Sequence, residues 1–539
     1  MTEPLAPVAP VRTERGLARV AMRNAASTAV MRLSAVVVGM ILTPFVLGHL
    51  GRELYGVVVT ATSAYEYLAL LRGGMGAAMR RYVTLHFHAG RPALARRYYA
   101  VGLFWSTALR IGIVAIGALL ARPLCDFLHI PPSTTLDAAW GIFLMILAAV
   151  IGDFSGTLEI PIYSSGRTHA LANLKTVMGW GRIGIVVLIF TTMGASIRTY
   201  GLALIVTEVI PLFVILLLTR RSGVVGSRLP LPIPGDAAIR REVFQYGSFA
   251  ILTQVAGLLY VSADNLLIGR FFGAGEVTRY ALGTRWSPLI LGFLVSTLSS
   301  LTPIFTQLEA RGESKRSRGA LARVVSMTAS LAVPFCLAPC VVGDLFLEHW
   351  VGAEYRSSSL FMIAMLAPAT IEASLAPVWM ALIARGRIRA IALGDVVVAV
   401  ANVVLSLFLA FTCGLGLLGF ALGNTMALLA KNLLLRPIVG RKDPDFPPIT
   451  EFLRPLPRAL AGGAPALALL YFARPLYDGN LAEVILAGLV GGALCLAGSS
   501  WAAMGPSGIR DLRKALRARR PGGTPPPSGS PVTPDESES

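Results

Sequence analysis

Five arginines fall inside stretches that are otherwise apolar: Arg32, Arg72, Arg110, Arg182 and Arg285. A guanidinium stays charged at any physiological pH and presents a planar fork of donors that fits phosphate oxygens two at a time. Where water is excluded it must bind an anion or pair with an acid, because a lone charge there costs about 2.5 to 3.5 kcal/mol on insertion scales. Enough acids are present for the second solution: Glu66, Asp153, Glu208, Asp264, Glu372 and Asp395 lie in similar surroundings. Both solutions stand on these residues alone, an anion site and a set of internal ion pairs. Asp264 with Asn265 suits a sugar hydroxyl, a cation or a proton relay, and equally a capping or gating pair. No catalytic constellation is visible. There is no GxxxxGK[ST] segment to cradle a nucleotide, and no cofactor is expected. The cysteines, Cys125, Cys336, Cys340, Cys413 and Cys495, are scattered and read as small apolar packing residues rather than metal ligands.

The elements that hold these residues must be membrane helices. Of 539 residues 55% are hydrophobic and only 14% charged, with a mean hydropathy of +0.67, so lipid is the solvent this chain needs. Apolar runs of about 18 or more residues recur along it, each long enough to cross a hydrocarbon core as a helix, and about fourteen can be counted. A closed barrel would need alternation, which runs such as Val396 to Phe411 lack. The expected fold is all-α and polytopic: two pseudo-symmetric six-helix lobes with two further helices at the C-terminal end. The expected divisions are a basic N-terminus (1–23), a first lobe (24–219), a linker (220–242), a second lobe (243–438), a loop (439–456), two appended helices (457–504) and a tail (505–539), disordered beyond about Pro521. Arg32 then lies about 12 Å into the first span, at 1.5 Å per residue, and Arg285 is similarly deep from the opposite side.

The net charge of +19 would suggest nucleic acid for a soluble protein, but its distribution over alternate loops explains it without a nucleic-acid partner. One set of loops, with both termini, collects roughly 36 of the Lys and Arg residues and the other about 7, which orients the termini to the cytoplasm. Clusters such as Arg80, Arg81, Arg91, Arg96 and Arg97, or Arg311, Lys315, Arg316 and Arg318, fit the anionic headgroups of the inner leaflet. The first apolar run lacks a cleavage site and reads as a retained anchor. Opposite-side loops stay under about 16 residues, too short for a folded outer domain, which argues against a polymerase or ligase.

A weak internal repeat runs through the chain. Ser165-Gly166-Arg167 answers Arg385-Gly386-Arg387, and Gly201 answers Gly419. Leu50-Gly51-Arg52-Glu53 before Tyr55 answers Phe272-Gly273-Ala274-Gly275-Glu276 before Tyr280. The offset of roughly 220 residues spans six helices, so both copies enter the membrane in the same sense, related by an axis along its normal.

Several segments resemble the polysaccharide-biosynthesis flippases, the O-antigen flippase family of the multidrug/oligosaccharidyl-lipid/polysaccharide exporter superfamily. They are Thr43-Pro44-Phe45, His49 through Gly56, Leu70-Leu71-Arg72-Gly73-Gly74-Met75-Gly76, Arg81-Tyr82, Ala263 through Gly269, Gly386-Arg387 and Gly414 through Gly419. The resemblance covers most of residues 20 to 440. It departs at Arg72, where the family leads one to expect an acid. It implies two lobes around a central cavity and alternating access that carries an undecaprenyl-diphosphate-linked oligosaccharide across the inner membrane for O-antigen, capsule or exopolysaccharide assembly, with polysaccharide polymerase machinery as a partner. On that reading Arg32 and Arg285 are the diphosphate contacts and Asp264 with Asn265 completes the substrate-binding set, while Arg110 and Arg182, outside the matching segments, serve structure. A cation-coupled multidrug exporter of the same superfamily is the alternative, and a membrane polymerase or ligase the more distant one.

Overall fold

A computed structural model describes residues 14–72, 74–226, 230–298, 314–441 and 448–518. Gly73, Pro303, Arg311, the middle of the inter-lobe linker and the tail expected to be disordered lie outside the described residues, as do the side chains of Lys315 and Arg316. The described chain is helical throughout and contains no strand.

Its helices are α1 (Glu14–Ala69), α2 (Met75–His88), α3 (Pro92–Phe127), α4 (Pro132–Leu158), α5 (Ile160–Ser164), α6 (Thr168–Met193), α7 (Ile197–Arg220), α8 (Ala237–Phe272), α9 (Ala274–Thr284), α10 (Trp286–Leu298), α11 (Ser314–Val351), α12 (Ser359–Ala384), α13 (Ile388–Leu407), α14 (Leu417–Ala430), α15 (Arg436–Gly440), α16 (Ile449–Leu453), α17 (Pro455–Phe472) and α18 (Leu481–Ala518). Among the described residues eleven helices are long and apolar enough to cross a membrane. The first of them, Met22–Arg72, corresponds to two expected spans joined by a sharp bend at Gly51. The helical path breaks at Arg285, between α9 and α10. Large apolar side chains such as Leu119, Leu188, Val397 and Phe472 face outward, as lipid requires of a spanning helix.

The chain forms two compact units. The first comprises residues up to Ser287 with Gly343–Pro368 and Ile388–Leu435; the second comprises Pro288–Val342, Ala369–Arg387 and the remainder from Arg436. In the first unit, Val46, Val57, Ile113, Ile142, Val186 and Ile197 close a core shared by α1, α3, α4, α6 and α7. In the second, α17 and α18 meet at glycines: a Cβ on Gly462 would stand 2.3 Å from the Gly498 carbonyl oxygen, and one on Gly498 would stand 2.1 Å from that of Gly462. Such contact of backbones is how membrane helices gain packing without an aqueous driving force.

The repeat is visible in the backbone. Gly51 (φ 78°, ψ 171°) and Gly273 (φ 89°, ψ 163°), 222 positions apart, adopt the same left-handed extended bend, open to glycine and hardly to any other residue. The turns at Gly166 and Gly386 also match: Gly166 donates to the Tyr163 carbonyl and Arg167 to that of Ile162, while Gly386 donates to Ile383 and Arg387 to Leu382. These are the same helix-ending motif written twice. Gly201 and Gly419 each sit too close to a neighbouring helix for a side chain, at Leu144 on α4 and at Ala410 after α13.

Candidate functional site

The two repeats meet along a seam inside the first unit. The part of α1 beyond its bend runs antiparallel to α8, and polar side chains join them from end to end. At the glycine bends, Arg52 Nε donates to the Gly275 carbonyl at 3.1 Å and pairs with Glu276, the Gly275 amide donates to Glu53 at 2.8 Å, and Thr278 Oγ1 donates to the Arg52 carbonyl at 2.7 Å. Further along, Asn265 Nδ2 donates to Ser63 Oγ at 3.0 Å, Ser262 bonds Glu66, and Tyr67 donates to the Leu258 carbonyl at 3.3 Å. At the far end the Gly74 amide donates to the Gly247 carbonyl at 3.1 Å, and Arg81 lies over the Tyr246 ring.

Arg285 belongs to the same seam. It stands at the break between α9 and α10, its Nη1 donates to Thr43 Oγ1 on α1 at 2.8 Å, and its guanidinium lies 5.6 Å from the centre of the Trp350 ring. Trp350 is itself held on α1, donating Nε1 to the Met40 carbonyl at 2.7 Å, and packs with Trp286 and Phe346. An offset of 222 residues carries Ser63 onto Arg285 and Thr43 onto Asn265. The bonds Asn265–Ser63 and Arg285–Thr43 are therefore the same contact made twice about the axis of the repeat. Arg32, exposed on α1, lies two helical turns before Gly39, where Arg285 Nη2 rests 3.7 Å from the position of a Cβ.

Asp264 occupies a different environment from its neighbour Asn265. Only 1% exposed, it accepts from Tyr280 Oη at 2.6 Å and Asn424 Nδ2 at 2.5 Å through one oxygen, while its Oδ1 has no donor. Asn424 Oδ1 accepts from Asn402 Nδ2 at 2.8 Å, and Ser406 Oγ approaches Asn402 Oδ1 at 3.4 Å. A carboxylate whose second oxygen is unbonded can take a proton there while the first keeps its two donors.

Arg72, Arg110 and Arg182 pair with embedded acids. Asp153 receives both Arg72 and Arg110, Glu208 receives Arg182 at 2.6 Å, and Glu372 receives Arg436 at 3.1 Å. Arg110 and Arg182 thus hold helices together, and Arg72 turns into the first repeat. Thr43, Ser63, Tyr280, Asn402 and Asn424 escape a search for embedded charge because they carry none. The repeat offset applied to Asn265 and Arg285 would have found the first two.

Comparison with known proteins agrees with this architecture. Residues 169–360 match the family described as "Polysaccharide biosynthesis protein". The uncharacterized membrane protein EpsK of Bacillus subtilis (strain 168) is 23% identical over 427 residues, covering 75% of this chain and 80% of its own length. The probable low-salt glycan biosynthesis flippase Agl15 of Haloferax volcanii is 19% identical over 194 residues, 36% of this chain and 41% of that protein. The chain is thus similar, over residues 169–360, to polysaccharide-biosynthesis proteins. The chain shares its fold with lipid II flippase MurJ in an inward closed conformation, with a TM-score of 0.67 at 12% identity over 92% of this chain and all of that one. Where these relatives' names state an activity it is that of a flippase.

Proposed function

We propose that this protein is a flippase that carries an undecaprenyl-diphosphate-linked oligosaccharide across the inner membrane by alternating access, serving O-antigen, capsule or exopolysaccharide assembly beside a polysaccharide polymerase, with both termini in the cytoplasm. The observation that carries the reading is Arg285: a guanidinium set at a helix break on the seam between repeats, where relative motion of the lobes would uncover it. Its planar fork suits a diphosphate, and Arg32 on the same side of α1 supplies the second charge. Asn265, pinned by Ser63, is assigned to gating the seam and contacting substrate once the seam opens. Asp264 is assigned to coupling, as the carboxylate that takes a proton or cation while the lobes rock.

Proteoliposomes loaded with a labelled lipid-linked oligosaccharide test this, with protection from an external glycan-cleaving enzyme as the readout. Wild-type protein should equilibrate the label between leaflets, and Arg32→Ala with Arg285→Ala should slow it by about tenfold or more, the loss of one or two charge-assisted bonds. Normal rates in both variants would overturn the site assignment. Movement of amphipathic cations without movement of the labelled lipid would favour the multidrug reading instead.

A further inference from the structure

Pro44 lies inside α1 and has no backbone N–H. In an α-helix the carbonyl of residue 40 accepts from the amide of residue 44, so the Met40 carbonyl is left without its helical donor. An unanswered carbonyl is costly in a helix surrounded by lipid. Trp350, in the last turn of α11 and 5% exposed, answers it: Nε1 donates to the Met40 carbonyl at 2.7 Å. Thr43, the residue before the proline, accepts from Arg285 Nη1 at 2.8 Å, and the Trp350 ring lies 5.6 Å from that same guanidinium. The indole therefore grips α1 through its N–H and Arg285 through its face.

Other rings fix the indole in turn. Trp286 meets it edge-on at 5.3 Å between centres, and Phe346 stacks on it at 5.4 Å. A guanidinium is drawn to the negative face of an indole, and more strongly where water is excluded. The matched neutral contact, Asn265 with Ser63, is built differently. The offset of 222 residues carries Pro44 onto Leu266, which has the amide that an α-helix needs at the Ser262 carbonyl. The proline that frees a carbonyl thus occurs at the charged contact and not at the neutral one, as suits a device that serves the charge and not the helix.

We propose that Trp350 is the positioning residue for Arg285, seated by the carbonyl that Pro44 leaves free. The inference rests on the reading of Arg285 as a diphosphate contact. Trp350 does not itself touch the passenger. It holds the guanidinium fork at one height and angle, so that two N–H groups meet two diphosphate oxygens together. A free arginine side chain would lose its rotamer freedom on binding; here that ordering precedes the passenger, which favours affinity.

The test is the flipping rate of a labelled undecaprenyl-diphosphate-linked oligosaccharide in proteoliposomes, followed against its mole fraction in the membrane, with the unfolding midpoint read on the same preparations. Trp350→Leu should raise the half-saturating mole fraction by about three- to tenfold, more than it lowers the maximal rate. In an Arg285→Ala chain it should add nothing, because it acts through Arg285. Trp350→Phe keeps a ring but loses the N–H, so it should raise half-saturation less and lower the midpoint. Adding Pro44→Ala to Trp350→Phe returns a helical donor to the Met40 carbonyl; the midpoint should recover while half-saturation stays raised. Equal effects with and without Arg285, unchanged half-saturation, a loss confined to the maximal rate, or recovery of both quantities in the double variant would each overturn the positioning role. If the wild-type protein moves no labelled lipid, or Arg285→Ala alone leaves half-saturation unchanged, the diphosphate reading of Arg285 fails first and the positioning role falls with it.

Discussion

Arg285 and Asp264 are both embedded charges, yet their surroundings ask different things of them. Arg285 has a neutral partner, Thr43, and a ring beneath it, so its charge is positioned without being neutralised by either. Arg285→Lys should then retain part of the flipping rate while Arg285→Ala loses about tenfold or more, because lysine keeps the charge but not the fork. Asp264→Asn should preserve the fold, since an amide oxygen still accepts from Tyr280 and Asn424, and abolish dependence of transport on a proton or sodium gradient in proteoliposomes. Retained gradient dependence would move the coupling site elsewhere. Sequence reading reaches these residues because a charge among apolar neighbours stands out. It misses Asn402, Asn424 and Tyr280, whose polarity is modest and whose meeting with Asp264 joins segments as many as 160 positions apart.

Among the elements, the bends in α1 and after α8 determine where the seam can close. A Cβ on Gly56 would stand 1.7 Å from the Ala274 carbonyl oxygen, so Gly56→Leu should force the repeats apart at that end of the seam. The expected outcome is a folded protein with a lowered unfolding midpoint and a changed flipping rate, read on the same preparation. Gly498→Leu should instead loosen α17 from α18 within the second unit, lowering the midpoint. Hydropathy was enough to expect these helices. It merged or divided them imperfectly because a bend at Gly51 and a break at Arg285 are backbone events, and an apolar window responds to side chains.

At the scale of the whole molecule, the seam offers a direct test of alternating access. Ser63→Cys with Asn265→Cys, in a chain whose five native cysteines are replaced by alanine, places two thiols where a 3.0 Å hydrogen bond stood. A short thiol-bridging reagent should stop flipping, and a cleavable version should restore it on reduction. Continued flipping by bridged protein would mean that the repeats do not separate there. The two-fold plan was legible from a few glycines whose spacing held near 220 residues, because a bend or helix end that only glycine tolerates leaves a mark in sequence. The grouping into compact units was not, since it depends on which helices pack and not on where the copies join.

The matched contacts are not identical. Two matching segments meet through the same pair of positions, but the pairs differ in charge: Ser63 is neutral where its counterpart, Arg285, is charged. A perfectly even-handed passage would offer the anionic end of a passenger no reason to lean either way. Here one of the two matched contacts carries a charge and the other does not, so the seam has a left and a right.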